Sequence, residues 1–295
     1  MRNLFVKILF VSILISIFAG CIQQAPTGNT TTPIPTASVP QELRLATTTS
    51  TCDTKLLDVL NKKFEETNNI KILTVCEGTG KAIATGELGA VDVVMVHAVD
   101  AELKAVANGS FINRTYMMYN YFVIIGPEND PAGIRNASSA ADAFSKIASS
   151  KQSPFISRGD SSGTHTMEKS IWKAANITPA GTWYQSVGKG MGDTIITADT
   201  KEGYTISDRG TYLSMKDKIK LRILFESDQK YLFNPYHVMA VNPDKFPNAK
   251  YELSMKYIRY LLSPQGQEII RNYGKDKYGE ALFVPEEDAG DVTSQ

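Results

Sequence analysis

LRLATTTSTCDTKLLDVLNKKFEETNNIKILTVCEGTGKAIATGELGAVDVVMV, residues 43–96, carries the pattern that sets the fold class. Residues 43–46 read as a short strand, and a hydroxyl-rich turn, Thr47-Thr48-Thr49-Ser50-Thr51, follows. Over 55–66 the apolar residues Leu56, Leu57, Leu60 and Phe64 recur at helical spacing. Residues 70–75 predict a second strand, Gly78-Thr79-Gly80 a turn, and 81–87 a short helix. The run 91–96 is nearly continuous apolar sequence, as in a strand buried on both faces. Repeated strand-turn-helix units predict an α/β fold, with a mixed, mostly parallel sheet and helices on both faces.

Further along, 121–125 predicts a strand that ends at Gly126-Pro127. A second block follows, with helices over 140–148 and 166–175 and strands over 155–157 and 204–207. Residues 236–241 return as a strand, and 254–262 and 264–273 close the chain as helices. Sequence that leaves one α/β block, builds another and comes back predicts two lobes with a cleft between them. The expected division is lobe I over 42–124 and 234–287, lobe II over 125–233, and a tail over 288–295.

The N-terminus reads as an export signal over 1–20. Arg2 and Lys7 precede an apolar run over 8–18, which is too short to span a bilayer. Phe18-Ala19-Gly20-Cys21 resembles a lipoprotein processing site, with Cys21 the lipidated residue. Residues 21–41 are rich in Thr and Pro and predict an extended tether. The formal net charge is +0 and no basic run is interleaved with aromatics, which argues against nucleic acid as a partner. No Cys/His cluster has metal-ligand spacing. Cys52 and Cys76 can pair in an oxidising compartment or stay as two buried thiols. Asn-x-Ser/Thr triplets at Asn29, Asn108, Asn113, Asn136 and Asn176 are candidate glycosylation sites.

Ser157-Arg158-Gly159-Asp160-Ser161-Ser162-Gly163-Thr164-His165 is the stretch richest in chemistry. It lies between a predicted strand and a predicted helix, where free backbone N–H groups and the helix dipole favour an anion. Ser162 and Thr164 add hydroxyl donors, and Arg158 adds a permanent planar cation. The alternative is an N-capping turn serving only the helix, but capping does not call for Arg158. Gly159-Asp160-Ser161-Ser162-Gly163 also fits the G-x-S-x-G elbow of serine hydrolases, with His237 and Asp208 as partners. No oxyanion-hole segment accompanies it. The turn 47–51, the loop Gly78-Thr79-Gly80-Lys81 and the segment at His97 are all expected at strand carboxyl ends. There they would face the same cleft. Gly78-Thr79-Gly80-Lys81 is not a Walker A loop, because Val75 stands where its first glycine is required. His97, a lone histidine, reads first as a structural residue.

Six stretches in order are similar to motifs of the tungstate-binding proteins of ABC importers: ATTTST (46–51), GTGKA (78–82), VDVVMVHA (91–98), SRGDSSGTH (157–165), GKGMGDTI (188–195) and SDRGTYL (207–213). Ser161 departs from the second acidic residue usual in that loop. The resemblance implies a two-lobed type II periplasmic-binding fold that closes on a tetrahedral dianion, tungstate or molybdate, with no cofactor and no catalysis. It implies contacts from Thr49, Ser50, Arg158 and Thr164, with Thr48, Gly80 and Ser162 as further candidates. It also implies a monomer held to the membrane by its lipid and delivering its ligand to a permease with a cytoplasmic ATPase. The loop resembles the R-x-D-x-S-G-T loop of phosphate-binding proteins as well, in which the acid accepts the proton of phosphate. An ionised Asp160 pointing at an unprotonated dianion would repel it, so Asp160 is expected to turn away.

Overall fold

A computed structural model describes residues 39–288 of the chain. The expected signal, the tether, Cys21, Asn29 and the tail beyond 288 lie outside the described residues. The first units are β1 (Gln41–Thr48), α1 (Thr49–Asp53), α2 (Leu56–Asn68), β2 (Ile70–Glu77), α3 (Thr79–Glu87), β3 (Val93–Val96), α4 (Val99–Ala107) and β4 (Phe111–Gly126). The middle holds α5 (Ala140–Ser150), β5 (Phe155–Ser157), α6 (Gly163–Ala174), β6 (Tyr184–Ser186), α7 (Met191–Thr200), β7 (Thr205–Asp208), α8 (Arg209–Met215), β8 (Arg222–Phe225) and α9 (Gln229–Leu232). The chain closes with β9 (Phe233–Val241), α10 (Tyr251–Leu261), α11 (Pro264–Asn272), α12 (Lys275–Tyr278) and β10 (Val284–Pro285). Among the described residues no helix is long and apolar enough to cross a membrane.

The main sheet runs β10-β4-β9-β3-β1-β2, and β7 and β8 also pair with β4. Side chains of alternate strand residues leave opposite faces, so each strand feeds two cores. On one face Leu43, Leu45, Val93, Met95, Val238 and Ala240 pack with Leu57, Leu60 and Phe64 of α2 and with α10 and α11. On the other, Ala46, Val94, Val96, Met239 and Val241 meet Ala82 and Ile83 of α3 and Ala105 of α4. These strands therefore carry apolar residues at nearly every position, which is why they read as continuous runs rather than alternations.

β4 ties the architecture together. Its first part, through Tyr121, pairs with β9, and from Phe122 onward it pairs with β7 and β8. Phe122 and Ile124 enter a third core with Phe144 of α5 and Trp172 of α6. Val123 and Ile125 turn the other way, towards Met191 and Ile195 of α7.

Two expectations need correction. Among the described residues parallel pairing is confined to β1–β2, β1–β3 and β5–β6 together with an isolated bridge, Phe155 to Tyr204. β4 and β9, the long strands, pair antiparallel with each other and with β3, β7, β8 and β10. The sheet is thus mixed but not mostly parallel. β4 also starts ten residues before the apolar run at 121–125. Its first half carries register shifts at Ile112/Thr115 and Tyr116/Met118 and a left-handed Asn113 at φ 52°. Each shift breaks the two-residue period that would have marked the strand.

Candidate ligand-binding site

The carboxyl end of β1 runs directly into α1 at Thr48 and Thr49. Thr48 is the N-cap: its Oγ1 accepts the Thr51 N–H at 3.2 Å. The same oxygen lies 3.0 Å from Ser50 Oγ and 2.7 Å from Thr51 Oγ1. Thr48 is therefore committed to the turn, whereas Thr49 reaches outward to Arg158.

Arg158 follows β5 and is 1% exposed. Its Nη2 donates to Thr49 Oγ1 at 3.1 Å and to Asp160 Oδ2 at 2.5 Å. Its Nε and Nη1 are buried without a hydrogen-bond partner among the described residues, and so is Thr164 Oγ1. A buried donor left unpaired costs about 1–3 kcal/mol, more if charged. Unpaired donors of a guanidinium beside an unpaired hydroxyl on the same loop are what a cleft for a compact anion requires. Asp160 does not aim its charge freely: Oδ2 holds Arg158 and Oδ1 accepts the Ser162 N–H at 3.2 Å.

The loop is held in shape from below. Glu168, buried on α6, accepts from Ser157 Oγ, Trp172 Nε1 and the Tyr184 hydroxyl at 2.7, 3.2 and 2.8 Å. Gly159 has φ 61°, and a Cβ there would lie 1.7 Å from Ser186 Oγ, so only glycine fits. Ser162 caps α6, its Oγ accepting the His165 N–H at 3.2 Å. α6 starts at Gly163, three residues earlier than the sequence predicts, which places Thr164 in its first turn.

Other loops close in on these two. Thr79 Oγ1 at the start of α3 accepts the Gly163 N–H at 2.9 Å. A Cβ on Gly80 would lie 3.5 Å from Ser161 O, and one on Gly190, the N-cap of α7, 3.4 Å from Thr49 Oγ1. Asp53 Oδ2 accepts the Gly192 N–H at 3.3 Å. Asp208 caps α8 through the Thr211 N–H at 2.8 Å, and Thr211 Oγ1 lies 3.4 Å from Ser50 O. The sequence candidates Thr49, Ser50, Gly80, Arg158 and Thr164 thus sit on loops in mutual contact, while the Thr48 and Ser162 side chains serve as helix caps.

His97 is more than packing. Its Nε2 lies 3.2 Å from Ser50 Oγ and its Nδ1 2.8 Å from Asn234 Oδ1. Asn234 carried no signal of its own, since it comes from β9, 137 positions away from His97, whereas Thr79 lies in the Gly78–Lys81 loop expected at the cleft. No hydrogen bond links Ser161, His237 and Asp208. His237 pairs instead with Glu102 at 2.9 Å, and Asp208 with Thr211.

Burial shifts two groups beside Ser50 in opposite senses. It pushes Asp208 up from 3.8 to about 6, against the pull of its Thr211 hydrogen bonds and of Arg158. It pushes His97 down from 6.5 to about 4, with Arg158 adding to the effect and Asn234 and Glu102 opposing it. Between pH 3.8 and 6 the folded protein keeps an Asp208 proton that the unfolded chain has lost, so this group lowers stability as pH rises. Between pH 4 and 6.5 the unfolded chain holds a His97 proton that the fold excludes, so stability rises with pH. The two slopes largely cancel. Asp208→Asn, which keeps a capping oxygen, is therefore expected to unmask the histidine. On acidification from pH 7 to 4 the variant should lose about 2 kcal/mol more than the native chain, since each tenfold difference in proton affinity between folded and unfolded chain is worth ~1.4 kcal/mol and the unfolded carboxyl is itself partly protonated at pH 4. Urea unfolding across that range measures it, and parallel curves would refute the assignment.

Cys52 of α1 and Cys76 of β2 form a disulfide with Cα atoms 6.2 Å apart. It ties the Thr49–Ser50 turn to the edge of the sheet.

Comparison with known proteins agrees with this layout. Residues 27–265 match the PBP superfamily domain. The tungstate-binding protein TupA of Peptoclostridium acidaminophilum is 42% identical over 288 residues, covering 97% of this chain and 99% of that protein. A tungstate ABC transporter structure from Geobacter sulfurreducens is 52% identical with a TM-score of 0.72, covering 79% of this chain and 98% of the other. The tungstate-binding protein TupA from Desulfovibrio alaskensis G20 is 44% identical with a TM-score of 0.69, covering 83% and 99%. A serial strand-turn-helix chain, folded as a type II binding protein and sharing most of its length with these relatives, belongs to the PBP superfamily and, within it, to the family of the TupA proteins.

Proposed function

We propose that this chain is the extracytoplasmic substrate-binding component of an ABC importer, capturing tungstate, with molybdate as a further ligand. The observation that carries the reading is Arg158: a guanidinium 1% exposed, with Nε and Nη1 unpaired among the described residues. A tetrahedral dianion would take those donors together with Thr49, Ser50 and Thr164, while Gly80 lets the backbone come close. Thr48 and Ser162 hold the turns that present them. Charge-assisted hydrogen bonds in a dry cleft supply the affinity.

In this reading lobe I spans 42–124 and 234–287, lobe II spans 125–233, and the β4 and β9 crossings form the hinge. Function is closure on the anion and release to a permease with its ATPase, a population shift and not bond making. The chain acts as a monomer, anchored through a lipid on Cys21. Phosphate fits less well, because it needs an acceptor turned to its proton, and Asp160 is instead oriented towards Arg158 and the Ser162 N–H.

Titration calorimetry with tungstate, molybdate, sulfate and phosphate tests the assignment. One tungstate per chain should bind, with sulfate and phosphate weaker by at least about 100-fold, a gap of ~2.7 kcal/mol. No heat with tungstate, or tighter phosphate, would overturn it.

A further inference from the structure

A buried chain of polar groups runs from the hinge strands to the site. Asn234 Nδ2 on β9 donates to Asn120 Oδ1 on β4 at 2.7 Å and lies 3.3 Å from the Tyr236 hydroxyl. Asn234 Oδ1 then accepts from His97 Nδ1, and His97 Nε2 faces Ser50 Oγ. Tyr236 stacks on the His97 ring at 4.5 Å, fixing its plane. Asn120, Asn234, Ser50 and Tyr236 are all at most 3% exposed.

The direction of this chain decides what Ser50 can do. Burial keeps His97 neutral, so the ring has one N–H to give. With Asn234 Oδ1 towards the ring, that proton sits on Nδ1. Nε2 is then an acceptor and takes the Ser50 hydroxyl proton, so Ser50 offers an anion only lone pairs. The same direction leaves Asn120 Nδ2 buried without a partner among the described residues. That nitrogen lies beside Gly210, 3.2 Å from where a Cβ would stand, in the first turn of α8.

Turning both carboxamides end for end reverses every bond without moving a backbone atom. Asn120 Nδ2 then donates to Asn234 Oδ1, which also accepts from Tyr236. Asn234 Nδ2 donates to His97 Nδ1, and His97 Nε2–H donates to Ser50 Oγ, whose own proton is then free for the anion once Thr48 Oγ1, 3.0 Å away, gives its proton to Thr51 Oγ1. The orphaned amide nitrogen gains an acceptor, and the proton count on the ring is unchanged.

We infer that His97 is a positioning residue that donates Nε2–H to Ser50 Oγ when ligand is bound, aiming the Ser50 proton at the anion and so selecting a fully deprotonated oxyanion over a protonated one. This rests on the oxyanion reading above and adds the source of its selectivity. In the opposite direction Ser50 would repel a dianion and accept from hydrogenphosphate.

Nitrogen-15 NMR of the His97 ring in the full chain, saturated with sodium tungstate, reads the tautomer directly. The Nε2–H form is expected. The Nδ1–H form with tungstate bound would overturn the relay and leave the oxyanion reading standing, whereas absence of tungstate uptake would remove both. His97→Phe keeps a ring against Tyr236 but has no donor, and should weaken tungstate about 30-fold and hydrogenphosphate by less than about 3-fold, since a hydrogen bond to a charged group contributes more than a neutral one. His97→Gln, whose amide can donate to Ser50, should restore tungstate binding to within about 3-fold on the same ground. Equal losses for both anions in His97→Phe would mean that the ring is only structural and would overturn the proposal.

Discussion

Arg158→Ala is expected to weaken tungstate binding by at least about 100-fold, from a loss of about 3–5 kcal/mol. Among the described residues the guanidinium is the one buried cation of the site loops, and only its Nη2 is engaged. Removing it takes away both unpaired donors and leaves the Asp160 carboxylate without its counter-ion, adding negative charge near the anion. The fold should survive, because Asp160 is 17% exposed and can be solvated, while Glu168 still braces the loop. Arg158→Lys keeps the charge but not the planar fork, and should fall between the two. Calorimetry measures the affinities, and circular dichroism of the unliganded variants checks the fold. Native affinity in a folded Arg158→Ala variant would remove the proposed site.

The second large effect is on stability. Cys52→Ala with Cys76→Ala opens a link across a sequence separation of 24 and is expected to cost about 3 kcal/mol. For a domain of this size that lowers Tm by roughly 6–12 °C. The link holds α1, so tungstate affinity should also fall, though by only a few-fold against the loss for Arg158→Ala. Thermal unfolding of the native and doubly substituted chains gives the comparison. An unchanged Tm would show that the disulfide contributes nothing to the folded state.

Arg158 and the strand order around it are legible in the sequence, and each for a physical reason. The strand-turn-helix order over 43–96 can be read because those strands are buried on both faces and leave unbroken apolar runs. Arg158 can be read because a cation among hydroxyls and glycines at a strand end has few other uses. β4 cannot: its bulges at Ile112/Thr115 and Tyr116/Met118 scramble the period that marks a strand. The role of His97 is not legible either, since its partners Asn234 and Asn120 come from distant strands and only pairing brings them together. The pentapeptide Gly159–Gly163 suggests a nucleophile elbow, yet its serines lie in a loop whose bonds serve Arg158 and the start of α6.

The distinction between tungstate and phosphate turns on Asp160 and Ser50 together. A dianion without protons needs every facing group to donate, and an acid free to accept would favour hydrogenphosphate. In the proposed site Asp160 is held by Arg158 and the Ser162 N–H, and Ser50, if directed by His97 as inferred above, turns its proton to the anion, which leaves donors facing it.

A crystal structure of the full chain grown with sodium tungstate, with tungsten located by its anomalous scattering, tests the central claim most directly. The predicted result is one tungsten site with oxygens within hydrogen-bonding reach, about 2.7–3.1 Å, of Arg158 Nε and Nη1 and the Thr49, Ser50 and Thr164 hydroxyls, with Asp160 turned away. Tungsten elsewhere, or an oxygen hydrogen-bonded to the Asp160 carboxyl, would contradict it.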